Sequence, residues 1–231
     1  MINSKNDFEF LKLTIRSFLS FKIKKLFYQI FNGHFIRKKK IDNYLESNVS
    51  RKLHLGATRD IKGFLNSQIL GKVPIDITKK LPFNDGEITL IFSSHLLEHI
   101  HKKEIDFFLF DSFRVLKEKG VNVIATPSLD KIINTCYINK TNKKYLVDFA
   151  KKFYTENFID NSHILNLCFR AFGHRYIVDY SYMKNLSKKV GYSSCSQVTV
   201  DKLPDKSIKE YLKKYKSSRW FSETSIFILK K

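Results

Sequence analysis

The segment from Val73 to Ile100, VPIDITKKLPFNDGEITLIFSSHLLEHI, decides the fold of this chain. Its run EITLIF is short, apolar and rich in β-branched residues, and it follows the turn-forming triplet NDG, so it predicts a buried strand. The stretch VPIDI at the start of the segment predicts another short strand. The EITLIF run ends in the polar residues 93–95 just before a helical pattern, which is typical of the ligand-binding edge of an open α/β sheet.

The length and composition predict one globular domain with a modest appendage, because 43% of the 231 residues are hydrophobic. The sequence contains no uncharged apolar run long enough to span a membrane, and no secretory signal is recognisable at its start. We therefore expect a cytoplasmic protein. The three widely spaced cysteines, Cys136, Cys168 and Cys195, predict free thiols rather than disulfides or a zinc knuckle.

The net charge of +20 is compatible either with a polyanionic partner or with a lysine-rich solvated surface. Only eight of the 42 basic residues are arginine. Arginine is the side chain that grips phosphates and base edges in a bidentate manner, so this bias disfavours a nucleic-acid partner.

Residues 1–50 form a basic segment whose pattern differs from the rest of the chain. Apolar residues recur at spacings of three and four between Phe8 and Ile30, which predicts an amphipathic helix that ends near Gly33. Its apolar face is broad, and the basic run Arg37–Lys40 follows. We expect peripheral contact of residues 8–40 with an anionic membrane surface. The alternative is a helix that packs on the main domain with its lysines in water.

From Arg51 onward the sequence predicts α/β structure, beginning with the strand and glycine turn KLHLG. Only residues 57–63 separate this strand from the next candidate, FLNS, and seven residues are too few for the usual crossover helix. An extended loop of that length can span at most about 23 Å, which is enough to return along a short strand. The sequence therefore predicts a truncated crossover between two parallel strands.

Further along, apolar positions from Ile105 to Leu116 predict a helix that closes at Gly120, followed by a strand over Val121–Thr126. Residues 129–172 interrupt the alternation of strand and helix with polar, aromatic and helical sequence. An insertion after the carboxyl edge of a sheet is a natural lid. A helix with Met183, Leu186 and Val190 facing inward then ends at Gly191.

Four ordered blocks of the sequence resemble a known family. KLHLGATRDIKGFLNSQI, PIDITKKLPFNDGEITLIFSSHLLEHI, FRVLKEKGVNVIATPSLD and GHRYIVDYSYMKNLSKKVGY are similar to bacterial class I S-adenosylmethionine-dependent methyltransferases, the small type 11-like enzymes associated with cell-surface glycan biosynthesis. The resemblance covers about residues 51–231. It implies a mostly parallel Rossmann-like sheet with an antiparallel last strand and helices on both faces, and S-adenosylmethionine as the cofactor.

The resemblance also implies roles for individual residues. Gly56 corresponds to the first glycine of the cofactor loop, and Asp76 to the acid near the adenine. The complete set of implied cofactor contacts is Gly56, Ala57, Gln68, Asp76, Leu81, Pro82, Ser93, Ser94 and His95. His95 is the first choice for the catalytic base and His174 the second. The implied substrate contacts are His99, Arg175 and Tyr176.

The chain departs from the family pattern at four positions. Thr58 replaces a second glycine of the cofactor loop, and Gln68 replaces the carboxylate that usually holds the ribose. Ser94 and Ser128 stand where relatives often carry acids. These departures keep open the alternative of a catalytically degenerate binding or scaffold protein with the same fold.

His95, Glu98 and His99 also form the HxxEH string of inverted zinc peptidases. Such a zinc site requires both histidines on one helix face, a distant third protein ligand and a water. The surrounding strand and turn blocks favour the methyltransferase instead, so no metal is predicted.

The sequence thus predicts methyl transfer from S-adenosylmethionine to an oxygen or nitrogen of a small acceptor, and a sugar of a cell-surface glycan precursor is the acceptor we expect. Alignment of the acceptor with the methyl group would account for much of the rate, with a histidine removing a proton. The alternatives are the non-catalytic scaffold protein and a nucleic-acid methyltransferase.

Overall fold

A computed structural model describes residues 34–69, 73–138, 143–154 and 158–231. The predicted helix between Phe8 and Gly33 lies outside these residues. The helices are α1 (His34–Ser47), α2 (Lys102–Val115), α3 (Leu129–Ile133), α4 (Lys143–Ala150), α5 (Asn161–Arg170), α6 (Tyr180–Val190), α7 (Lys206–Tyr215) and α8 (Ser218–Glu223). The strands are β1 (Lys52–Leu55), β2 (Phe64–Ser67), β3 (Ile88–Ser94), β4 (Leu116–Pro127), β5 (Ser194–Val198) and β6 (Thr224–Lys230).

The strands form one sheet in the order β2-β1-β3-β4-β6-β5. The pairs β1–β2, β1–β3 and β3–β4 are parallel, whereas β6 is antiparallel to both β4 and β5. Apolar side chains alternate along these strands and supply two cores, one on each face, because successive residues of a strand point to opposite faces. The predicted mostly parallel Rossmann-like sheet with an antiparallel last strand and helices on both faces is confirmed.

The strand predicted at Val73–Ile77 is absent from the described part of the sheet, so this prediction was wrong. Its apolar residues are buried, but the chain turns instead of pairing with β2. The Oδ1 atom of Asp76 accepts hydrogen bonds from the backbone N–H of Thr78 at 3.1 Å and from its hydroxyl at 2.7 Å. The alternating pattern therefore reports burial of these side chains, and the carboxylate two residues before Thr78 produces a turn.

The truncated crossover between β1 and β2 is confirmed, because the two strands are parallel neighbours. Asn66 stabilises the short loop by accepting a hydrogen bond from the N–H of Ile61 at 2.9 Å and donating one to its carbonyl at 3.0 Å. The sheet face beside this loop is covered by α7, from which Ile208, Tyr211 and Leu212 are buried against the sheet. A helix from late in the chain thus occupies the place that a crossover helix would fill.

The opposite face of the sheet packs against α1, α2 and α6. The predicted helix α6 is confirmed, with Gly191 at φ +113° as its C-cap. Helix α2 ends at Val115, so its predicted end at Gly120 was wrong, and Gly120 lies inside β4. The N–H of Leu116 still bonds to the Ser112 carbonyl, after which the backbone becomes extended.

Residues 129–172 contribute α3, α4 and α5, and these helices bury side chains in a third apolar cluster of their own. The cluster includes Ile132, Leu146 and Leu167. Helix α3 follows β4 directly, so the cluster lies beyond the carboxyl end of that strand. Within the described ranges, no helix is long and apolar enough to cross a membrane.

Candidate active site

The carboxyl ends of β1 and β3 lie side by side at the edge where the strand order reverses. From β1 the chain continues to β2 on one side, whereas from β3 it continues to β4 on the other. Open α/β sheets bind ligands outside the carboxyl ends of their strands at such a reversal. We call the edge lined by Gly56, Ser93 and Ser94 the crevice.

Gly56 shapes the first side of the crevice. It has φ +69°, a left-handed conformation that favours glycine, and a Cβ at this position would lie 3.1 Å from the Cδ1 atom of Leu96. The next residue, Ala57, donates its N–H to the carbonyl of Ser67 at 2.9 Å and so ties β1 to the end of β2. A side chain at residue 56 would therefore crowd Leu96, so this tight turn after β1 requires glycine.

Three buried serines end the strands around the crevice. Ser67 ends β2, and Ser93 and Ser94 end β3. The Oγ atoms of all three are buried without a hydrogen-bond partner among the described residues. Because an unsatisfied buried hydroxyl costs free energy, these groups fit a polar ligand such as the ribose and amino acid parts of S-adenosylmethionine.

His95 follows β3 with φ +52°, a conformation that is uncommon outside glycine. Its Nε2 atom lies 2.7 Å from Oγ1 of Thr224, and its Nδ1 atom lies 3.3 Å from Oε1 of Glu98. The ring stacks on Trp220 with 5.6 Å between the centroids. Burial, and then the charge of Lys216, holds the pKa of His95 well below its ordinary value, so the imidazole is neutral.

Glu98 is fully buried behind His95. Its Oε2 atom accepts a hydrogen bond from the hydroxyl of Thr126 at 3.1 Å, whereas Oε1 has no hydrogen-bond partner in the described part of the chain. Burial raises the pKa of Glu98 to about 8, and the hydrogen bonds to its backbone and to Thr126 reduce this effect. The carboxyl group is therefore mostly protonated at pH 7.

His99 and His174 join Glu98, and we call these three residues the His–Glu cluster. One ligand atom from each lies within 4.8 Å of the others, and within the described ranges this is the set of side chains that could hold a metal ion. The two imidazole rings meet edge to face with 5.1 Å between centroids. Burial lowers the pKa of His99 to about 4 and also lowers the pKa of His174.

A backbone carbonyl fixes the tautomer of His174. Its Nδ1 atom lies 2.6 Å from the carbonyl oxygen of Cys168. A carbonyl only accepts hydrogen bonds, so Nδ1 carries the proton and Nε2 keeps a lone pair. His174 is thus oriented as a proton acceptor beside Glu98 and His99.

The other predicted substrate residues contact the site through the backbone. The N–H groups of Arg175 and Tyr176 donate to the Glu98 carbonyl at 2.7 and 3.4 Å. The guanidinium of Arg175 points to His101, with Nη1 2.5 Å from Nε2. These two residues connect the segment before α6 to the turn that carries the cluster.

The remaining predicted cofactor residues lie apart from the cluster. Gln68 is exposed after β2, and the Asp76 carboxylate forms the turn described above. Leu81 is buried and Pro82 half-buried in a loop that α2 holds in place. Arg114 donates to the carbonyl of Phe83 at 2.8 Å, so the loop is fixed before any ligand binds.

Sequence reasoning missed four side chains at this edge, namely Thr126, Lys216, Trp220 and Thr224. None lies in a recognisable motif, and each comes to the site from a different part of the fold.

The geometry also argues against the zinc-peptidase alternative. The HxxEH string is not helical throughout, because only Leu97–His99 forms a single 3-10 turn and His95 precedes it with a left-handed backbone.

Comparison with known proteins gives one family match. Residues 59–124 match the family model described as a methyltransferase domain. A sequence search of curated proteins finds no match. The match supports S-adenosylmethionine as the cofactor, in agreement with the sequence prediction.

Several solved structures are similar to this chain. One is an S-adenosylmethionine-dependent methyltransferase from Archaeoglobus fulgidus, at 14% identity and a TM-score of 0.45, covering 89% of this chain and 98% of that chain. Another, from Thermotoga maritima, shows 8% identity and a TM-score of 0.43 over 90% of this chain and 97% of that chain. A Haemonchus contortus phosphoethanolamine N-methyltransferase shows 11% identity and a TM-score of 0.41 over 83% and 51%. The strand order and the family match together support a Rossmann-like methyltransferase fold, and the matched residues 59–124 extend from the loop after β1 into β4.

Proposed function

We propose that this protein transfers a methyl group from S-adenosylmethionine to a hydroxyl or amine of a small acceptor, and that the acceptor is a sugar of a cell-surface glycan precursor. The single observation that supports this most is the convergence at one sheet edge of a glycine turn, buried serine hydroxyls without a partner among the described residues, and the His–Glu cluster. When bound, S-adenosylmethionine would supply an electrophilic methyl group on its sulfonium.

The crevice is the part of the site that suits the cofactor. Gly56 forms the tight turn after β1, and the hydroxyls of Ser93 and Ser94 can each donate and accept a hydrogen bond. Ala57 and Gln68 flank this region, and Asp76, Leu81 and Pro82 lie in the segment before β3. Gln68 can hydrogen-bond a ribose hydroxyl without supplying a charge.

His174 is better placed than His95 to accept the proton of the acceptor. Both ring nitrogens of His95 have close polar neighbours, Thr224 and Glu98, so this residue would orient the acceptor and separate it from bulk water. His174 has a lone pair on Nε2 and a neutral ring. A neutral imidazole fixed by a carbonyl is suited to general base catalysis.

The acceptor would lie between the His–Glu cluster and the helices α3–α5. His99 is half-exposed there, and the backbone of Arg175 and Tyr176 fixes the adjoining segment. We infer that residues 129–172 act as the lid that selects the acceptor. A neutral, hydrogen-bonding cluster suits the hydroxyl groups of a sugar.

Calorimetry of the purified protein with S-adenosylmethionine and with S-adenosylhomocysteine tests the proposal. We expect binding of at least one with a Kd in the micromolar range. A suitable control titrates ATP, which shares the adenosine part but lacks the amino acid. If neither cofactor form gives heat at high ligand concentration, the enzyme proposal fails and the scaffold alternative takes its place.

We also propose that residues 8–40 bring the protein to an anionic membrane surface. The support is the broad apolar face predicted for residues 8–30, together with the exposed side chains of Lys38, Lys39 and Lys40 on α1. Each basic residue near an anionic leaflet contributes about 1 kcal/mol. Such contact would place the enzyme beside lipid-linked glycan precursors.

A further inference from the structure

Lys216 follows α7 and lies over the crevice. Its charge acts on His54, which is buried on β1, and on His95 and Glu98, which follow β3. Ring contacts give the same position, because Tyr211 and Trp220 both lie beside the ammonium group, Tyr211 meets the ring of His54 with 5.3 Å between centroids, and Trp220 stacks on His95. The ammonium group therefore stands near the point where the strand order reverses.

Two aromatic rings hold this ammonium group. The Nζ atom lies 5.5 Å from the ring centroid of Tyr211 and 5.7 Å from that of Trp220. Among the residues that the structure describes, no carboxylate lies within ion-pair distance of Lys216. The side chain is half-buried, and this burial lowers its pKa. Partial burial removes water from the ammonium group, and an ion pair does not replace it. An anionic ligand would therefore bind there favourably, because it would offset this desolvation cost.

Trp220 supplies a second hydrogen-bond donor in the same region. The indole is 4% exposed, and its Nε1–H group has no hydrogen-bond partner in the described ranges. The ring stacks on His95, so it lies beside the end of β3. On the other side, the hydroxyl of Tyr211 lies 3.3 Å from Oγ1 of Thr58, in the loop after Gly56. Lys216 therefore lies among groups that reach both walls of the crevice.

We propose that Lys216 binds the carboxylate at the amino acid end of S-adenosylmethionine, an inference that rests on the proposed function. The positive charge of Lys216 and the N–H donor of Trp220 both favour an anionic group. The carboxylate is the anionic group of the cofactor. The His–Glu cluster, where the acceptor would lie, is instead composed of neutral groups. Attraction by Lys216 would help to offset the absence of a charged residue at Gln68.

The test compares two ligands that differ in the amino acid part. S-adenosylhomocysteine carries the carboxylate, whereas 5′-methylthioadenosine lacks the whole amino acid portion. Both would be titrated by calorimetry into the full chain, into Lys216→Gln and into the matched control Lys202→Gln, which removes an exposed lysine. We expect Lys216→Gln to weaken S-adenosylhomocysteine binding roughly tenfold to hundredfold and to leave 5′-methylthioadenosine binding unchanged. Lys216→Arg should restore part of the loss.

Each other outcome overturns the proposal. Equal weakening of both ligands would mean that Lys216 supports the fold, and thermal unfolding of the variant would show the same. Unchanged S-adenosylhomocysteine binding, with weaker binding of inorganic phosphate to the cofactor complex, would assign the anion to the acceptor. Failure of the unaltered chain to bind S-adenosylhomocysteine and S-adenosylmethionine would overturn the proposed function as well, and this result is distinct from a failure seen only in the variant.

Discussion

At the scale of single residues, Glu98 is a group whose chemistry the fold changes strongly. It faces His95 and His99 from its own turn, Thr126 from β4, Glu223 from α8 and Lys216 after α7. Among the described residues no hydrogen bond reaches Oε1, so burial dominates and the carboxyl prefers its proton. A protonated carboxyl can donate a hydrogen bond to a neighbouring neutral imidazole, which a carboxylate cannot do.

This raised pKa predicts a pH-dependent cost to stability. In the unfolded chain the glutamate ionises near 4.5, whereas in the folded chain its pKa is about 8. Its contribution to stability is therefore full below pH 4.5, falls between those two pKa values and is lost above pH 8. Glu98→Gln removes this titration, so its stability relative to the unaltered chain should rise by up to about 1.4 kcal/mol per pH unit across that window.

Urea unfolding followed by circular dichroism at pH 5, 7 and 8.5 measures the difference. Glu118→Gln, which removes an exposed carboxylate, is the matched control. A difference between Glu98→Gln and the unaltered chain that stays constant across the three pH values would contradict a raised pKa at Glu98.

At the scale of secondary-structure elements, α7 is the substitute for the crossover helix that the short β1–β2 connection lacks. Although α7 lies near the end of the chain, an ion pair joins it to the start of the sheet. Asp205, at the N-terminus of α7, binds the side chain of Lys52 with 2.7 Å between Oδ2 and Nζ. That contact anchors α7 at the beginning of β1. The helix then runs toward the carboxyl edge, where Tyr211 meets Thr58.

We predict that Leu212→Ala destabilises the fold by about 2–5 kcal/mol, because Leu212 is fully buried between α7 and the sheet. The neighbouring Lys213→Ala is the control. Lys213 is exposed and pairs with the exposed Asp201, so its loss should leave the free energy of unfolding nearly unchanged. Denaturant unfolding measures both variants. Equal and small effects would show that α7 is not part of the domain core.

At the scale of the whole molecule, the relation between the basic N-terminal segment and the domain can be tested by truncation. Helix α1 packs on the domain through Ile41, which is 3% exposed. The hydroxyl of Tyr44 also donates to the carbonyl of Lys52 at 2.8 Å. A truncation that removes α1 would therefore disturb the core. To test the role of the preceding residues alone, the truncated chain should begin at His34.

We predict that a chain beginning at His34 stays folded and binds S-adenosylhomocysteine as the full chain does, but no longer sediments with anionic vesicles. The full chain should sediment with them, and added salt should weaken this only partly because the apolar contribution is not screened. Vesicles of neutral lipid are the control. If the shortened chain aggregates, residues 1–33 belong to the core and the membrane proposal is wrong.

The sequence by itself determined the fold class and most of the sheet, and it predicted a candidate site at the end of β3. Runs such as KLHLG, FLNS and EITLIF match β1, β2 and β3 because strands that are buried on both faces need short, mostly apolar runs, which the sequence records locally. It placed His95, Glu98 and His99 at the end of β3 for the same reason. The VPIDI stretch misled because its side chains are buried without strand pairing.

Only the tertiary structure decided which side chains meet at that edge. Thr126, His174 and the segment that carries Lys216, Trp220 and Thr224 lie far apart in the chain. Their approach depends on the register of β4 and β6 and on the packing of α7 and α8. A neutral His95 and a protonated Glu98 likewise depend on burial by those segments, and no local pattern of residues encodes that burial.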